Sequence, residues 1–276
     1  MSIRMIAVDF DGTLLDSQNQ ISPANRDAIQ AAVSRGVEVV VVTGRRFHSA
    51  QPFVAQIPGC ATVISSNGAR IGSASGEAYY RSLLPREVAR QVVAAAEDFL
   101  GYAVLIFDQP GRGQLVMHCD AHPAGPVAWY MRTAPECLLK VPSLPVALTA
   151  EPLQVMFGGP QAQIEPLEAI LRASSAAHLF HLTWTKYLAP NLSLLDVMNR
   201  GCSKGGALAL WARRRNVAPQ EILAIGDNLN DIEMLQHAGQ PVLMANHNFD
   251  PVPDGWQVTL SNDEDGVAEA IRRYAL

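Results

Sequence analysis

The chain has 276 residues, of which 49% are hydrophobic and 17% charged, and its formal net charge at pH 7 is -5. This length and composition can bury a large core, so we expect a globular protein built as one large domain or as a domain that carries an inserted one. The negative charge excludes a broad electrostatic attraction to nucleic acid or to an anionic membrane surface.

The first part of the chain alternates apolar β-branched runs with helical patterns. After a strand in "RMIAVDF" comes a helix in "ISPANRDAIQAAVSRG", where Ser22 can cap the helix, Pro23 suits its first position and Gly36 can close it. A strand in "VEVVVV", a helix from "FHSAQPFVAQI" and a strand in "ATVISS" follow. This alternation predicts a parallel sheet with right-handed crossovers.

The alternation is interrupted between Leu84 and about Ala189, where helices and hairpin-like strands such as "YAVLIFD", "GQLVMHCD" and "LQVMFGG" occur. It resumes with the helical "SKGGALALWARRR", the strands "EILAIG" and "PVLMA", and the closing helix "EDGVAEAIRRYAL". Antiparallel strands with helices on one face are typical of an α+β unit. We therefore expect an α/β core over residues 1–84 and 190–276, with an α+β domain inserted at residues 85–189.

The cysteines and the N-terminus indicate where the protein works. The four cysteines are widely spread and form no CxxC pair, which favours reduced, mostly structural thiols: Cys60, Cys119, Cys137 and Cys202. The N-terminus lacks the pattern of a secretory signal, and no uncharged apolar stretch reaches the ~18 residues that span a bilayer. We expect a cytoplasmic protein.

Polar residues with metal-binding or phosphate-binding chemistry stand at the ends of the predicted parallel strands and at one helix start. They are Asp9 and Asp11 in "DFDGT", Thr43 in "TGR", Lys204 in "SKGGAL", and Asp227 and Asn230 in "GDNLNDIEML". Because ligands of open α/β sheets bind outside the carboxyl ends of the strands, we expect these groups to converge.

The aspartates at positions 9 and 11 carry a problem of charge. If strand geometry persists, both side chains project to the same side and crowd each other. A divalent cation between them, or a proton held by one of them, relieves the repulsion. The alternative is a strand end followed by an ordinary turn, since Asp, Gly and Thr are all turn residues.

Taken together, the polar groups have complementary chemistry. Three carboxylates supply hard oxygen ligands suited to Mg²⁺, from Asp9, Asp11 and Asp227. A hydroxyl, an ammonium and an amide can donate to a phosphoryl group, from Thr43, Lys204 and Asn230. Each stretch alone also fits a turn, an exposed helix lysine or a helix cap. In this combination and order they predict a phosphoryl-transfer site.

These stretches also resemble a known family. "DFDGTLLD", "TGR", "SNGA", "SKGGAL", "GDNLNDIEML" and "SNDEDGVAEAI" are similar, in this order, to the motifs of the haloacid dehalogenase (HAD) superfamily, and most closely to its Cof-type, subclass IIB, sugar-phosphatase branch. The resemblance covers both ends of the chain well, and the insert only by position and element order. It implies a Rossmann-like parallel-sheet core with an inserted α+β cap domain that sets substrate specificity.

The resemblance also implies an activity and a role for each matching residue. The expected enzyme is a magnesium-dependent phosphatase that hydrolyses small phosphorylated metabolites, sugar phosphates foremost, through an aspartyl-phosphate. Asp9 would be the nucleophile, and Asp11 the general acid and then the base. Mg²⁺ would be held by Asp9, the backbone carbonyl of Asp11, and Asp227. Phosphate would be bound by Thr43, Gly44, Lys204 and Asn230.

Two other functions remain open at this stage. A phosphomutase of the same superfamily would return the phosphoryl group to a sugar, and a requirement for a bisphosphate activator would distinguish it. A noncatalytic binding protein that retains the fold is disfavoured, because the acids and the lysine of the site are all present. We expect neither nucleic acid nor a membrane as partner, and either a monomer or a small homo-oligomer.

Three further stretches have no assigned role. Ala245 and His247 lie where relatives often read Gly and Ala, which predicts a local change of packing near the fourth motif. The segment from His118 to His122 could bind zinc or contact substrate, or it could be a solvated strand end. The stretch "HLFHLTWTKY" favours core packing, with sugar stacking as the alternative, through His178, His181, Trp184 and Tyr187.

Overall fold

A computed structural model describes residues 2–121, 126–187, 192–247 and 249–276 of the chain. The backbone divides into two compact units, one formed by Met1–Arg81 with Ser203–Leu276 and the other by Ser82–Cys202. Each unit has its own sheet. The predicted fold class, an α/β core with an inserted α+β unit, is confirmed. In the part of the chain that is described, no helix is long and apolar enough to cross a membrane.

The N-terminal segment of the first unit alternates strands and helices and ends in a hairpin. The elements are β1 (Met5–Val8), α1 (Pro23–Ser34), β2 (Glu38–Val42), α2 (Phe47–Val54), β3 (Thr62–Ser65), β4 (Arg70–Ser73) and β5 (Ala78–Arg81). The predicted start of α1 is confirmed, because the Ser22 side chain accepts a hydrogen bond from the Asn25 amide and Pro23 is the first helical residue.

The second unit contains the interrupted part of the pattern. Its elements are α3 (Arg86–Ala95), β6 (Ala103–Ile106), β7 (Leu115–His118), α4 (Pro126–Thr133), β8 (Leu138–Val141), α5 (Leu144–Ala147), β9 (Gln154–Pro160), α6 (Gln161–Ala173), β10 (Phe180–Tyr187) and β11 (Leu192–Asn199). The six strands form one sheet in the order β10-β11-β9-β6-β7-β8. Neighbouring strands are antiparallel except for β7 and β8.

The chain then returns to the first unit. The remaining elements are α7 (Lys204–Arg214), β12 (Ile222–Gly226), α8 (Ile232–His237), β13 (Gln240–Leu243), β14 (Gln257–Val258) and α9 (Gly266–Tyr274). The sheet of this unit has the order β14-β13-β12-β1-β2-β3-β4-β5. Its strands from β14 to β3 are parallel, whereas β4 and β5 run antiparallel to their neighbours.

The core of the first unit lies on both faces of its sheet. Along β1, Ile6 and Val8 pack with Ile29 of α1 and Ile271 of α9, while the alternate residues pack on the other side with α7 and α8. Side chains of a strand alternate between the two faces, so a strand covered on both sides must be apolar throughout. This is why the runs "MIAV" and "VVVV" predicted buried strands correctly.

Two details of the predicted organisation differ from the structure. The hairpin of β4 and β5 was not predicted, because both strands have only four residues and Tyr79 and Tyr80 of β5 are exposed. The second boundary was expected at residue 189, but the second unit continues to Cys202. The reason is that β11 pairs along its length with β9 and β10, so the strand that follows residue 191 belongs to the inserted sheet.

The helices of the second unit were expected on one face of its sheet. Val88 of α3 and Leu167 of α6 pack on one face. Met131 of α4, however, packs with Val104 and Met156 on the opposite face. A sheet apolar on both faces needs a cover on each side, and α4 supplies apolar contacts to the second one.

Candidate active site

The loop that follows β1 carries the first two acids. Asp9 is buried, and its amide donates to the carbonyl of Ile225 in β12 at 3.1 Å. The chain then leaves the strand, since the amides of Thr13 and Leu14 donate back to the carbonyls of Phe10 and Asp9. Strand geometry therefore does not persist to Asp11, so the condition under which both acids would lie on one side of an extended strand is not met. The two carboxylates bond to different cations, Lys204 and Arg45.

Gly12 allows this loop to pass close to the third acid. Its φ is +79°, a backbone conformation that side chains disfavour, and a Cβ at this position would lie 2.4 Å from Oδ2 of Asp227. The neighbouring Thr13 hydroxyl donates to Oδ1 of Asp227 at 2.9 Å. The loop after β1 and the loop after β12 are thus fitted against each other at the carboxyl ends of adjacent parallel strands.

Lys204 is the central cation of the site. It is the first residue of α7, whose cap Ser203 accepts from the Gly206 amide, and only 1% of it is exposed. Its Nζ donates to Oδ1 of Asp9 and to Oδ1 of Asp231, both at 2.7 Å. The interpretation of Lys204 as an exposed helix lysine is wrong, because a buried ammonium with two carboxylate partners is held in a single place.

Three carboxylates surround this lysine, and we call Asp9, Asp227 and Asp231 the acidic cluster. Each offers an oxygen that lies within 4.8 Å of the others, an arrangement that could hold a metal ion. Oδ2 of Asp231 also accepts from the amides of Asp227 and Asn228, at 3.1 and 3.0 Å. Asp231 is therefore fixed on both oxygens, and it orients Lys204 and the loop after β12 together.

Burial raises the pKa of two members of the acidic cluster, Asp9 and Asp227. It raises the pKa of Asp9 to about 7; Lys204 opposes the rise, and Asp231 and Asp11 add to it. Burial also raises the pKa of Asp227, with further contributions from Asp231 and Asp9. Burial alone would lower the pKa of Lys204, but Asp231 and Asp9 raise it above its ordinary value. One ammonium does not balance three carboxylates, so the cluster favours a further cation.

The predicted phosphate-binding residues follow β2 and β12. Thr43 is buried, and its hydroxyl accepts from the Arg45 amide at 3.1 Å. Gly44 lies beside two amides: a Cβ there would be 3.0 Å from Oδ1 of Asn67 and 3.5 Å from Nδ2 of Asn230. Asn230 donates to Asn67 at 3.0 Å. The buried Oδ1 of Asn230 has no hydrogen-bond partner among the described residues.

Asp11 stands apart from the acidic cluster in its hydrogen bonding. Both of its oxygens accept from Arg45, Oδ2 from Nε at 2.8 Å and Oδ1 from Nη2 at 2.5 Å. The Asp11 side chain is 38% exposed, whereas that of Arg45 is 9% exposed. This two-pronged contact is the geometry in which guanidinium recognises a carboxylate most specifically.

The structure thus brings most predicted site residues together at one edge of the sheet. It joins Asp9 to Lys204, places Asp227 with Asp9 in the acidic cluster, and sets Gly44 beside Asn230. Four residues with contacts here have no role predicted from the sequence: Thr13, Arg45, Asn67 and Asp231. All four lie inside the quoted motifs, so the motif was the available signal, but their side-chain directions were not readable.

The loop after β13 holds the departures from the family pattern. Asn246 donates to the carbonyl of Gly12 at 2.7 Å and accepts from the amide of Asn262 at 3.0 Å. The amide of Ala245 donates to the carbonyl of Leu260, and that of His247 to the carbonyl of Met244. The loop therefore supports the backbone beside the site through Asn246. The side chain of His247 accepts a hydrogen bond from the Phe249 amide at 3.1 Å, within the same loop.

The candidate zinc segment in the second unit has a different character. Ligand atoms of His118, Cys119 and Asp120 lie within 4.8 Å of one another. Nε2 of His118, however, is 3.0 Å from the carbonyl of Pro142, and its Nδ1 accepts from the Asp120 amide at 3.2 Å. Both ring nitrogens are engaged, so the imidazole has no lone pair left for a metal. His122 lies outside the described residues.

The aromatic stretch of β10 gives a mixed result. Trp184 packs with the apolar face of the second sheet, and its Nε1 donates to Glu168 of α6 at 2.6 Å. This agrees with the packing interpretation of that residue. His178 is exposed and His181 is half-buried. The side chain of Tyr187 lies outside the described part of the chain.

A mostly parallel sheet, with buried acids around a lysine at the carboxyl ends of its strands and an α+β unit inserted in the chain, fits a phosphoryl-transfer enzyme. Family comparison makes the assignment specific. The haloacid dehalogenase-like hydrolase family matches residues 6–271, and the chain belongs to it. The predicted family is confirmed.

Individual relatives agree with this membership. Phosphatase YwpJ of Bacillus subtilis is 31% identical, over 98% of this chain and 99% of its own length. The HMP-PP phosphatase of Serratia proteamaculans is 29% identical, over 88% of this chain and 84% of its own. A solved HAD subclass IIB sugar phosphatase shares the fold, with a TM-score of 0.78 at 20% identity over 98% of both chains. The protein is a hydrolase of the phosphatase class.

Proposed function

We propose that the protein is a magnesium-dependent phosphatase that hydrolyses small phosphorylated metabolites, with sugar phosphates as the leading class, through an aspartyl-phosphate at Asp9. The observation that carries this proposal is the buried contact of Lys204 with Asp9 and Asp231 inside the acidic cluster. A carboxylate held this way has one oxygen on an ammonium while the other remains available as a nucleophile.

The acidic cluster fits magnesium by its donor chemistry. Mg²⁺ takes oxygen ligands and is usually bound by one or two carboxylates together with substrate phosphate and water. Asp9, Asp227 and the backbone carbonyl of Asp11 would hold the ion. When bound, it would polarise the phosphoryl group and neutralise charge on its oxygens. Because both oxygens of Asp231 already accept hydrogen bonds, we assign Asp231 to orienting Lys204 instead.

The remaining groups would bind and orient the phosphoryl group. Lys204 supplies positive charge beside the nucleophile, and such fixed charge stabilises the transferring group more than mobile water does. Thr43, Gly44 and Asn230 would donate to the phosphoryl oxygens, with Asn67 holding the Asn230 amide in place. Asp9 then attacks phosphorus in line with the departing oxygen, which is the arrangement that phosphoryl transfer requires.

Asp11 would move the proton in both half-reactions. In the first, the bond from phosphorus to the leaving oxygen breaks and that oxygen takes a proton from Asp11. In the second, water attacks the phosphorus of the aspartyl-phosphate and gives its proton to Asp11, which releases Asp9 and phosphate. One carboxyl can serve as acid and then as base because the two steps are the reverse of each other in their proton movement.

The names of the relatives support the choice of substrate class. They include a phosphatase without a stated substrate, an HMP-PP phosphatase and, at the level of fold, a sugar phosphatase. We further propose that the unit Ser82–Cys202 acts as a cap domain that sets specificity, as lids generally do. The enzyme would act in the cytoplasm, as a monomer or small homo-oligomer, without nucleic acid or membrane.

The experiment that tests this function measures phosphate release from a panel of sugar phosphates and one aryl phosphate, with and without Mg²⁺. Asp9→Asn is the blank, and Asp254→Asn, at an exposed position, is the matched control. We expect magnesium-dependent release that Asp9→Asn abolishes and Asp254→Asn retains. Phosphate release that persists in Asp9→Asn would contradict the assignment of Asp9 as the nucleophile. Turnover that requires a bisphosphate activator would instead indicate a phosphomutase.

A further inference from the structure

Arg45 contacts the acid that carries the proton in the proposed reaction, although no motif reasoning assigned it a role. We propose that Arg45 is a positioning residue: its guanidinium holds the Asp11 carboxyl in the orientation from which the proton is delivered to the leaving oxygen and later recovered from water. This inference rests on the function proposed for Asp11 and adds a residue on which that function depends.

The contact itself leaves Asp11 little freedom. Nε of Arg45 donates to one oxygen at 2.8 Å and Nη2 to the other at 2.5 Å, so the plane of the carboxylate is aligned with the plane of the guanidinium. A single donor would leave the carboxylate free to rotate about its bond to Cβ. Two parallel hydrogen bonds remove that rotation, and a lysine cannot reproduce them.

Arg45 is itself held from several directions. Its amide donates to the Thr43 hydroxyl, and its carbonyl accepts from the amide of Ser66 at 2.8 Å. The guanidinium carbon lies 4.6 Å from the centre of the Phe53 ring, and Nη2 also donates to Asn19 at 3.2 Å. A side chain fixed at both ends is a suitable support for a more mobile one.

Asp11 needs such a support more than the other acids do. Asp9 is fixed by Lys204, and Asp227 accepts from the hydroxyl of Thr13. Asp11 lies beyond the end of β1, in a loop, and its side chain is 38% exposed. General acid catalysis depends on a carboxyl being within hydrogen-bond reach of the oxygen that takes the proton.

The proposed role is compatible with proton transfer. When Asp11 carries a proton on one oxygen, that oxygen keeps a lone pair and the other oxygen keeps two, so both can still accept hydrogen bonds from Arg45. Arg45 neither gains nor loses a proton in either half-reaction, and it touches neither the phosphoryl group nor the leaving oxygen in this account. Its effect on rate passes entirely through the place that Asp11 occupies.

The test compares two substrates that differ in their need for the proton. An alkyl oxygen of a sugar phosphate must be protonated as it departs, whereas p-nitrophenolate leaves without a proton. We expect Arg45→Met to lower kcat on the sugar phosphate by about 100-fold, the scale of a misplaced catalytic group. On p-nitrophenyl phosphate, the burst of p-nitrophenolate that reports the first half-reaction should slow by no more than about threefold, because general acid catalysis contributes little there. Hydrolysis of the aspartyl-phosphate is common to both substrates and uses Asp11 as base, so the first half-reaction, and not steady-state kcat, is compared on this substrate.

A matched control is available in the same unit. Arg70 is also a buried arginine whose guanidinium lies over a phenylalanine of α2, 4.0 Å from the Phe47 ring, and it donates to the carbonyl of Gly76. Arg70→Met should change both substrates equally. Arg45→Lys should recover part of the loss on the sugar phosphate, since one hydrogen bond remains possible. KM should change little in Arg45→Met, because the substrate itself is not a partner of Arg45.

Each outcome decides the proposal. A large loss on the sugar phosphate alone supports it. Equal losses in the first half-reaction of both substrates, or the same selective loss in Arg70→Met, would overturn it in favour of a structural role. A large rise in KM on both substrates would overturn it in favour of phosphate binding. If Arg45→Met does not fold, Arg45→Gln is measured instead and the same pattern is required.

Asp11→Asn separates this inference from the function on which it rests. One outcome is that Asp11→Asn loses activity selectively on the sugar phosphate while the Arg45 variants do not. In that case the assignment of Asp11 as general acid is supported and the positioning role of Arg45 is wrong. If Asp11→Asn slows the first half-reaction of both substrates equally, the assignment of Asp11 as general acid is wrong and the inference about Arg45 is overturned with it.

Discussion

Two groups of metal-binding residue types occur among the described residues, and they differ in their burial and hydrogen bonding. The acidic cluster of the first unit is buried around Lys204 at the ends of parallel strands. The segment from His118 to Asp120 in the second unit lies at the end of β7, its cysteine and aspartate are exposed, and both nitrogens of its histidine are in hydrogen bonds. Residue type alone does not distinguish them.

The difference shows that burial of like charges, and not residue type alone, indicates a reactive site. Burying like charges is costly, and the cost is tolerated when a cation or a reaction requires the charges to be together. Cys119 and Asp120 are exposed to solvent, so placing them together costs little and does not indicate a reactive site. Substitutions in the acidic cluster should therefore change activity more than substitutions in the segment from His118 to Asp120.

Asp9→Asn should have the largest effect. Its volume is nearly that of the native residue, so the fold is retained, but the amide cannot form the aspartyl-phosphate. Loss of a nucleophile typically lowers kcat by about 10⁴-fold or more. The measurement is steady-state phosphate release with Mg²⁺, with unfolding temperature as the check on folding. Activity within tenfold of the native enzyme would break the contrast, because the buried cluster would then hold no nucleophile.

Lys204→Met should be next, and it should affect both rate and stability. Removing one fixed charge from a phosphoryl-transfer site costs about 10²- to 10³-fold in kcat. Removing the shared partner of two buried carboxylates costs on the order of 3–5 kcal/mol in the free energy of unfolding, measured by urea titration without Mg²⁺. The matched control, Lys140→Met at an exposed position, should change neither. Equal effects in the two variants would contradict the central place of Lys204.

His118→Asn should have a smaller and more selective effect. It removes the ring that joins the end of β7 to the carbonyl of Pro142. We expect turnover of an aryl phosphate to change by no more than about twofold, as for most substitutions away from a catalytic group, while the ranking of sugar phosphates shifts. Neither the native protein nor the variant should retain zinc after gel filtration. Stoichiometric zinc lost only in the variant would show that the second group is a metal site after all.

Glu168→Gln should have the smallest effect, and only on stability. Partial burial opposes ionisation of Glu168, but hydrogen bonds from Trp184 and Arg172 outweigh it and lower its pKa below the ordinary 4.5. A lowered pKa means that the ionised form stabilises the fold above pH 4.5 and that this contribution disappears as the pH falls through the folded value. The free energy of unfolding of the native protein should therefore exceed that of the variant by no more than about 1 kcal/mol at pH 7.

The check on this last prediction is its pH dependence. Urea unfolding at pH 7 and pH 3 should give a difference between native and variant proteins that shrinks at the lower pH. If the difference in the free energy of unfolding is unchanged or larger at pH 3, the charge on Glu168 is not the source of its stabilising effect. Magnesium-dependent turnover should be the same in Glu168→Gln as in the native protein, because the contacts of Glu168 lie within the second unit and not in the acidic cluster.

Much of the site could be predicted because parallel strands end at one edge of a sheet. Asp9, Thr43 and Asp227 each follow such a strand, so their neighbourhood depends only on strand order. Asp231 and Arg45 could not be assigned in the same way. Asp231 is at the end of a short turn and folds back onto the amides of Asp227 and Asn228, a direction that no periodicity encodes.

The fold was predictable to a similar degree. Long apolar runs covered on both faces, such as those of β1 and β2, were recognised from their composition. The boundary at Cys202 was missed because β11 has the same apolar character as a core strand, and only its pairing with β9 and β10 assigns it to the inserted unit. Strand pairing is a long-range property, and local pattern carries little information about it.

The measurement that tests the account most directly is identification of the phosphorylated residue during turnover. The native enzyme with Mg²⁺ and substrate is quenched in acid within milliseconds, reduced with borohydride and digested, which converts an aspartyl-phosphate into homoserine. The account predicts homoserine at position 9, dependent on substrate, and none in Asp9→Asn. A phosphoryl group on any other residue, or homoserine at position 11, would contradict it.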